Sequence, residues 1–422
     1  MQPVLGIDFG TSNSTVGLYQ HDRVTMVPLE GAHISVPTCI FYNTEQPPHS
    51  VHFGREAQTL YREGYQGRLL RSLKSILGTS LAQESTAIGY KSLKLADVLT
   101  SFLAHLKVKA ELVAKQSLEQ VVIGRPVHFI DGDPTADQRA QGELEAIAQK
   151  AGFKDIRFQY EPIAAALAYE ADLTSDETVL VADLGGGTAD FSILHLSPKR
   201  AQEVDRRADV LGNSGVHLGG TDLDRLLSYR CVMPELGLGS RYRDTVLEMP
   251  LTPYTLLSTW HKINLLYTPR ALVDIAEMVR GAAKPEKVQR LQTLVENRAG
   301  HALAHQVEAA KIALSTQPRT EIDLRELLGG LVVPVRERDF LLAIQGAVDS
   351  IVATVADLVK VAQINPVAIH TIFFTGGTSA VPALRQAICA ELPHARVIDG
   401  DPVAAVGRGL TLSAAVQFDA AV

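Results

Sequence analysis

Aromatic residues are scarce in this chain, 6% of its 422 positions with a single tryptophan, Trp260, and there are only three cysteines. Cys39, Cys231 and Cys389 lie far apart and form no C-x-x-C pair, which argues against a disulfide framework or a zinc ribbon and reads as buried thiols in a reducing compartment. No block of five like charges occurs, and 40 Lys plus Arg against 47 Asp plus Glu leave a formal charge of −7. A nucleic-acid groove or a membrane patch built on positive charge is therefore not expected. No apolar run approaches the ~18 residues of a membrane span, and the opening residues have neither the basic region nor the apolar segment of a secretory leader. The expectation is a soluble, cytoplasmic protein with no nucleic-acid and no membrane partner. Two familiar routes to phosphate chemistry are missing as well, because there is no G-x-x-x-x-G-K-[ST] and no H-R-D-x-x-x-x-N.

What the chain does have is apolar mass, with 46% hydrophobic residues against 21% charged, enough to bury sizeable cores in two or three domains. Short β-branched runs ending in glycine alternate with alanine-rich helical stretches, the pattern of an α/β architecture. Strands are predicted at Val4–Asp8, Val16–Tyr19, Gln120–Gly124, Thr178–Asp183, Phe191–Leu196 and Thr371–Thr375. Helices are predicted at Ala96–Gln116, Asp137–Ala151, Glu161–Ala171, Asp222–Tyr229, Leu303–Leu314, Arg338–Ala362 and Pro382–Leu392. Gly152 just past one helix and Pro162 in the first turn of another fit the usual stop and start signals.

Two distant segments resemble each other. Val4 to Thr11 and Leu180 to Thr188 each run as a buried strand that delivers an aspartate, Asp8 or Asp183, into a glycine turn, followed by a second strand with alternating apolar residues. A duplicated, two-lobed protein with its active cleft between the lobes is implied. Glycine turns let consecutive N–H groups converge on one spot, so Gly10-Thr11-Ser12-Asn13 and Gly185-Gly186-Gly187-Thr188 can act as facing phosphate clamps. Asp8 and Asp183, just ahead of them, can hold Mg²⁺ through its retained waters. A third pair, Gly376-Gly377 before Thr378, again follows an apolar strand, which favours a nucleotide bound in pieces. His301 and His305 share a helix face without a third ligand and read as surface histidines.

Four ordered motifs carry a likeness to a known family: Ile7 to Ser14, Tyr160 to Tyr169, Asp183 to Asp190, and Val216 to Asp224. They resemble the nucleotide-binding domain of the DnaK-type heat-shock chaperones, within the actin and sugar-kinase superfamily, most nearly the shortened, YegD-type bacterial members. The likeness runs from Gly6 to Leu410 and is weakest from Cys231 to Gly300. It implies a two-lobed actin-like ATPase fold of duplicated ribonuclease-H-like domains with inserted subdomains. Lobe I would span 1–176 with an insert at about 36–108, lobe II 177–398 with a helical subdomain at about 225–320, and 399–422 would pack back on lobe I.

The resemblance also implies roles. Asp8 and Asp183 would position Mg²⁺ and its waters, Thr11 and Thr188 would contact the terminal phosphates, Lys74 would touch the γ-phosphate and attacking water, and Glu161 would stand near that water. Gly219 and Gly220 belong to the fourth motif and are expected at the nucleotide. Glu308, Lys311 and Ser315 look like the adenosine-binding helix, and their spacing suits one face. Pro126 and Arg139 resemble a pair that relays nucleotide state to a partner domain, and Arg157 a residue linked to J-domain stimulation. The family pattern is broken at Ala380, where an arginine is usual against adenine, at Val403, where an acidic residue is usual, and at Tyr160, where an asparagine is usual. Residues 411–422 show neither the acidic-leucine linker nor a β-rich peptide-binding domain. The reading is a Mg-ATP-binding, slowly hydrolysing, chaperone-like protein with an unidentified protein client or co-chaperone. The alternatives are a nucleotide-dependent scaffold or filament protein and a small-molecule kinase of the same superfamily.

Overall fold

A computed structural model describes residues 2–45, 49–71, 73–89, 91–130, 133–201 and 203–419. Its frame is two sheets of matching topology. In the first, the rows run Asp155–Tyr160, Gln120–Arg125, Val4–Phe9, Asn13–Gln20 and Arg23–Met26, with Ser35–Pro37 paired beside Asn13–Gln20. In the second they run Arg396–Asp399, Thr371–Thr375, Glu177–Leu184, Ala189–Leu196 and Val210–Val216. Each sheet has a central strand with an antiparallel hairpin partner on one side and a parallel strand on the other. In each, a helix crosses between the two parallel strands beyond, Pro134–Lys150 in the first and Pro382–Glu391 in the second. This is the two-lobed actin-like ATPase fold. The central strands are covered on both faces and so read as unbroken apolar runs rather than alternating ones.

The predicted central strands and long helices are present, most with ends shifted by one to three residues. The Pro134–Lys150 helix begins ahead of its predicted start because the Asp133 carboxylate accepts from the N–H groups of Thr135 and Ala136 and Pro134 fills the first turn. Not anticipated were the hairpin Arg319–Leu324 with Leu331–Arg336, the outer strand Val210–Val216, and the small sheet Ser50–Phe53, Cys39–Asn43 and Gly67–Arg71. Cys39 is buried, whereas Cys231 and Cys389 are half-buried, a correction to the reading of all three as core thiols. The helix Glu337–Val361 is long and apolar enough to cross a membrane by length and composition. Here Phe340, Ile344, Ile351 and Val355 pack it into the core of the second lobe.

The helix Ala405–Asp419 lies on the first sheet and on the helix Glu161–Ala171. Close approach is what Gly6 provides: a Cβ there would stand 2.6 Å from the Thr411 hydroxyl.

Candidate functional site

Asp8 and Asp183 end the two central strands on the same side as the glycine turns, at the place where ligands gather in open α/β sheets. The turns face each other, since a Cβ on Gly186 would lie 2.9 Å from the Ser12 hydroxyl. The second turn is braced from two directions. Gly220 and Thr221 donate their N–H groups to the carbonyls of Gly185 and Gly186 at 3.1 and 2.9 Å, and the Thr378 hydroxyl donates to the Gly185 carbonyl at 2.7 Å. Gly376, at φ +78°, brings the third turn so near that a Cβ would sit 2.6 Å from an Asp183 carboxylate oxygen. The first turn, Gly10 to Asn13, thus meets Gly186 of the second through Ser12, and Gly219, Gly220, Gly376 and Thr378 pack around that second turn, while Gly377 is exposed.

Lys74 comes from the short helical turn Leu73–Ile76 and is buried, and its ammonium donates to the Glu161 carboxylate at the start of the helix Glu161–Ala171. Protein crowds Asp8 and Asp183 on most sides while leaving each partly exposed. Loss of solvation and the charge of Glu161 push Asp8 up to about 7, with Lys74 pulling the other way. Asp183 is pushed up to about 8, by loss of solvation first and then by Asp190, Asp8 and Glu161. Asp190 was not singled out from sequence. It faces Asp183 across the hairpin register, accepts from the Thr188 hydroxyl at 2.7 Å, and is itself raised by desolvation. A third acidic residue after a glycine turn was the signal available.

Such a cluster, with one lysine for four carboxylates, favours a cation. Among the described residues no three His, Cys, Asp or Glu side chains converge as direct ligands. The donor set therefore fits a hydrated Mg²⁺ held through its waters by Asp8 and Asp183 rather than an ion stripped of water.

The three helix residues expected at the nucleoside separate. Lys311 is buried, donating to the Gly220 carbonyl at 3.1 Å and to Asp224 at 3.0 Å. Glu308 is exposed, 3.9 Å from His305, and the Ser315 hydroxyl donates to the Lys311 carbonyl at 3.4 Å. Lys311 thus braces the second turn, and Asp224, its partner, was missed; loss of solvation pushes Asp224 up to about 6 against the pull of Lys311. Ile312 and Ala380 are both exposed.

His301 is not a surface residue: it is 5% exposed, packed between Tyr61 and Trp260, while His305 is exposed. Arg157 donates to the Gln417 carbonyl and lies 4.3 Å from the Phe418 ring centre, so the helix Ala405–Asp419 covers it. Arg125 stands 5.3 Å from the Tyr160 ring centre and pairs with Asp137 at 2.7 Å, while Arg139 donates to the Gly78 carbonyl.

Residues 4–233, more than half of the chain, match the family described as Hsp70 protein. Among curated proteins, the chaperone protein HscA homologue of Rickettsia prowazekii is 30% identical over 241 residues, 55% of this chain and 38% of that protein. The HscA homologue of Rickettsia felis is 29% identical over 237 residues, 54% of this chain and 35% of that protein. The chain's matched part thus spans under two fifths of the length of either relative.

Proposed function

Because the chain belongs to the Hsp70 protein family, we propose that it binds Mg-ATP between its lobes and hydrolyses it slowly, with movement of the lobes as the output to a protein client or co-chaperone. The observation that supports this best is the Lys74–Glu161 pair set against Asp8, Asp183 and Asp190 at the meeting point of three glycine turns. Phosphoryl transfer needs positioning and charge neutralisation more than covalent chemistry, and these residues offer both.

In this reading the N–H groups of the turns at Gly10 and Gly185 hold the phosphates, with Thr11 and Thr188 at the terminal ones. Bound magnesium would supply charge neutralisation on the phosphate oxygens. Lys74 draws charge from the γ-phosphate, and Glu161, whose carboxylate the lysine orients, holds the attacking water by accepting its proton in a hydrogen bond. Lys311 and Asp224 keep the second turn in place, and Glu308 and Ser315 stand toward the ribose. The chaperone role rests on the family and on the HscA relatives. Calorimetry with ADP and single-turnover hydrolysis of ATP, each with Mg²⁺ and with chelator, test the reading. Binding and turnover that both require Mg²⁺ are expected; a chain that binds no ADP in Mg²⁺ overturns it.

A further inference from the structure

Lys74 sits in a short turn whose Ile76 and Leu77 pack into the core of the first lobe, and a glycine four residues on ties that turn to a helix. Gly78 has φ +77° and rests directly on the helix Pro134–Lys150, where a Cβ would come within 2.8 Å of the Ala136 carbonyl and 2.9 Å of the Ala140 side chain. Both hydrogen-bonding groups of that glycine are taken by the helix. Its N–H donates to the Glu143 carboxylate at 2.8 Å, and its carbonyl accepts from the Arg139 guanidinium. Arg139 and Glu143 are one turn apart, so they close on the glycine from the same helix face. Between Gly78 and Lys74 the chain is tightly turned: Leu77 N–H donates to the Lys74 carbonyl at 3.2 Å, and the Thr79 N–H and hydroxyl both reach the Ile76 carbonyl, at 3.1 and 2.6 Å. Displacement at Gly78 therefore carries through to Lys74.

We propose that Glu143 is a positioning residue for Lys74: by accepting the Gly78 N–H it fixes the turn from which the Lys74 ammonium reaches Glu161. This rests on the role given to Lys74 above. The same helix serves the other half of the pair. Asp137, between the Arg125 guanidinium at 2.7 Å and the Phe129 N–H at 2.5 Å, holds the arginine that lies against Tyr160, the residue before Glu161. One helix thereby sets the spacing of a lysine and a glutamate that come from separate segments. Glu143 touches neither nucleotide turn, so its loss should be felt in rate and not in nucleotide affinity.

Single-turnover ATP hydrolysis and ADP calorimetry on the full chain separate the possibilities. Misplacing a reacting group by about an ångström costs up to ~100-fold, and Glu143→Ala is expected to slow hydrolysis about tenfold while leaving the ADP dissociation constant within about twofold. Glu143→Gln keeps an acceptor oxygen and should restore the rate to within about threefold of the parent. In a Lys74→Ala background, Glu143→Ala should cost nothing further. Should the alanine variant fail to fold, Glu143→Asp, which keeps the charge but draws it back from Gly78, takes its place in the same comparison. A parent-like rate in Glu143→Ala, or the same loss with and without Lys74, overturns the assignment while the reading of Lys74 stands. A parent-like rate in Lys74→Ala alone, or a parent that turns over no ATP, overturns both.

Discussion

The rings of Tyr61 and His301 meet edge to face with centroids 5.0 Å apart, and they come from opposite lobes. Tyr61 lies in the helix Gly54–Arg62 of the first lobe and His301 in the helix Gly300–Leu314 of the second. Trp260 meets His301 at 4.7 Å, and Arg71, from the same small sheet as Cys39–Asn43, lies over the Trp260 ring at 5.0 Å. This contact ties the lobes together away from the sheets. An aromatic pair contributes ~0.5–1.5 kcal/mol beyond its area, so Tyr61→Ala should speed release of ADP by about two- to twelvefold. A stopped-flow chase of fluorescent ADP checks it, and an unchanged release rate would mean that the cleft opens without parting these rings.

Protonation should loosen the same contact. Burial holds His301 down to about 4, with Arg71 and Arg62 adding to the effect and a hydrogen bond to the Trp260 backbone opposing it. The folded protein therefore prefers the neutral ring. Its contribution to stability is complete above ~6.5 and is lost as the pH falls toward 4, because the unfolded chain then binds a proton that the folded one resists. Relative to His301→Phe, the parent should lose up to about 3 kcal/mol between pH 6.5 and 4, read from urea midpoints. Parallel pH curves for the two proteins would contradict it.

Lys74→Ala removes the ammonium paired with Glu161. Single-turnover hydrolysis should fall by ~10²-fold or more, the scale of an electrostatic group aimed at a transition state. ADP affinity, which the proposed function assigns to the turns, should change little. Equal rates for the two proteins would remove Lys74 from the chemistry.

The base pocket should be weak. Ile312 is 60% exposed and Ala380 is exposed, and neither offers a planar cation to adenine. Placing one there with Ala380→Arg adds a stacked cation worth ~0.5–2 kcal/mol, so ADP should bind roughly 2- to 30-fold tighter. The single-turnover rate should hardly move. Unchanged or weaker ADP binding by calorimetry would show that another side chain already covers the base.

How much of this could be read beforehand depended on the range of the contacts. Strands such as Thr371–Thr375 and the glycine turns were legible because their signals are local: an apolar run, then glycine where a Cβ would meet backbone. The pairing of the two aspartates was legible through the internal repeat. The inward turn of Lys311 was not, because helical spacing places it beside Glu308 and only tertiary packing against Gly220 and Asp224 draws it in. Nor was the burial of His301, which depends on Tyr61 and Trp260 arriving from elsewhere in the chain. Glu143 gave no signal at all, since an acidic residue on an amphipathic helix reads as solvated until the glycine it holds is known. The small sheet around Cys39–Asn43 escaped because its strands are short and have no repeated partner elsewhere in the chain.

The seating of Thr411 on Gly6 has a consequence for how the protein is made. The helix Ala405–Asp419 forms one wall of the core that the first strand also needs, against Val4, Val122 and Ala164. A ribosome delivers Val4–Phe9 long before this helix, so the first lobe must wait through translation of the second with an apolar groove uncovered. The second sheet, whose strands and covering helix Glu337–Val361 all emerge earlier than that, can close first. Order of emergence and order of completion are thus reversed, and the half-made chain is the form most in need of protection from aggregation.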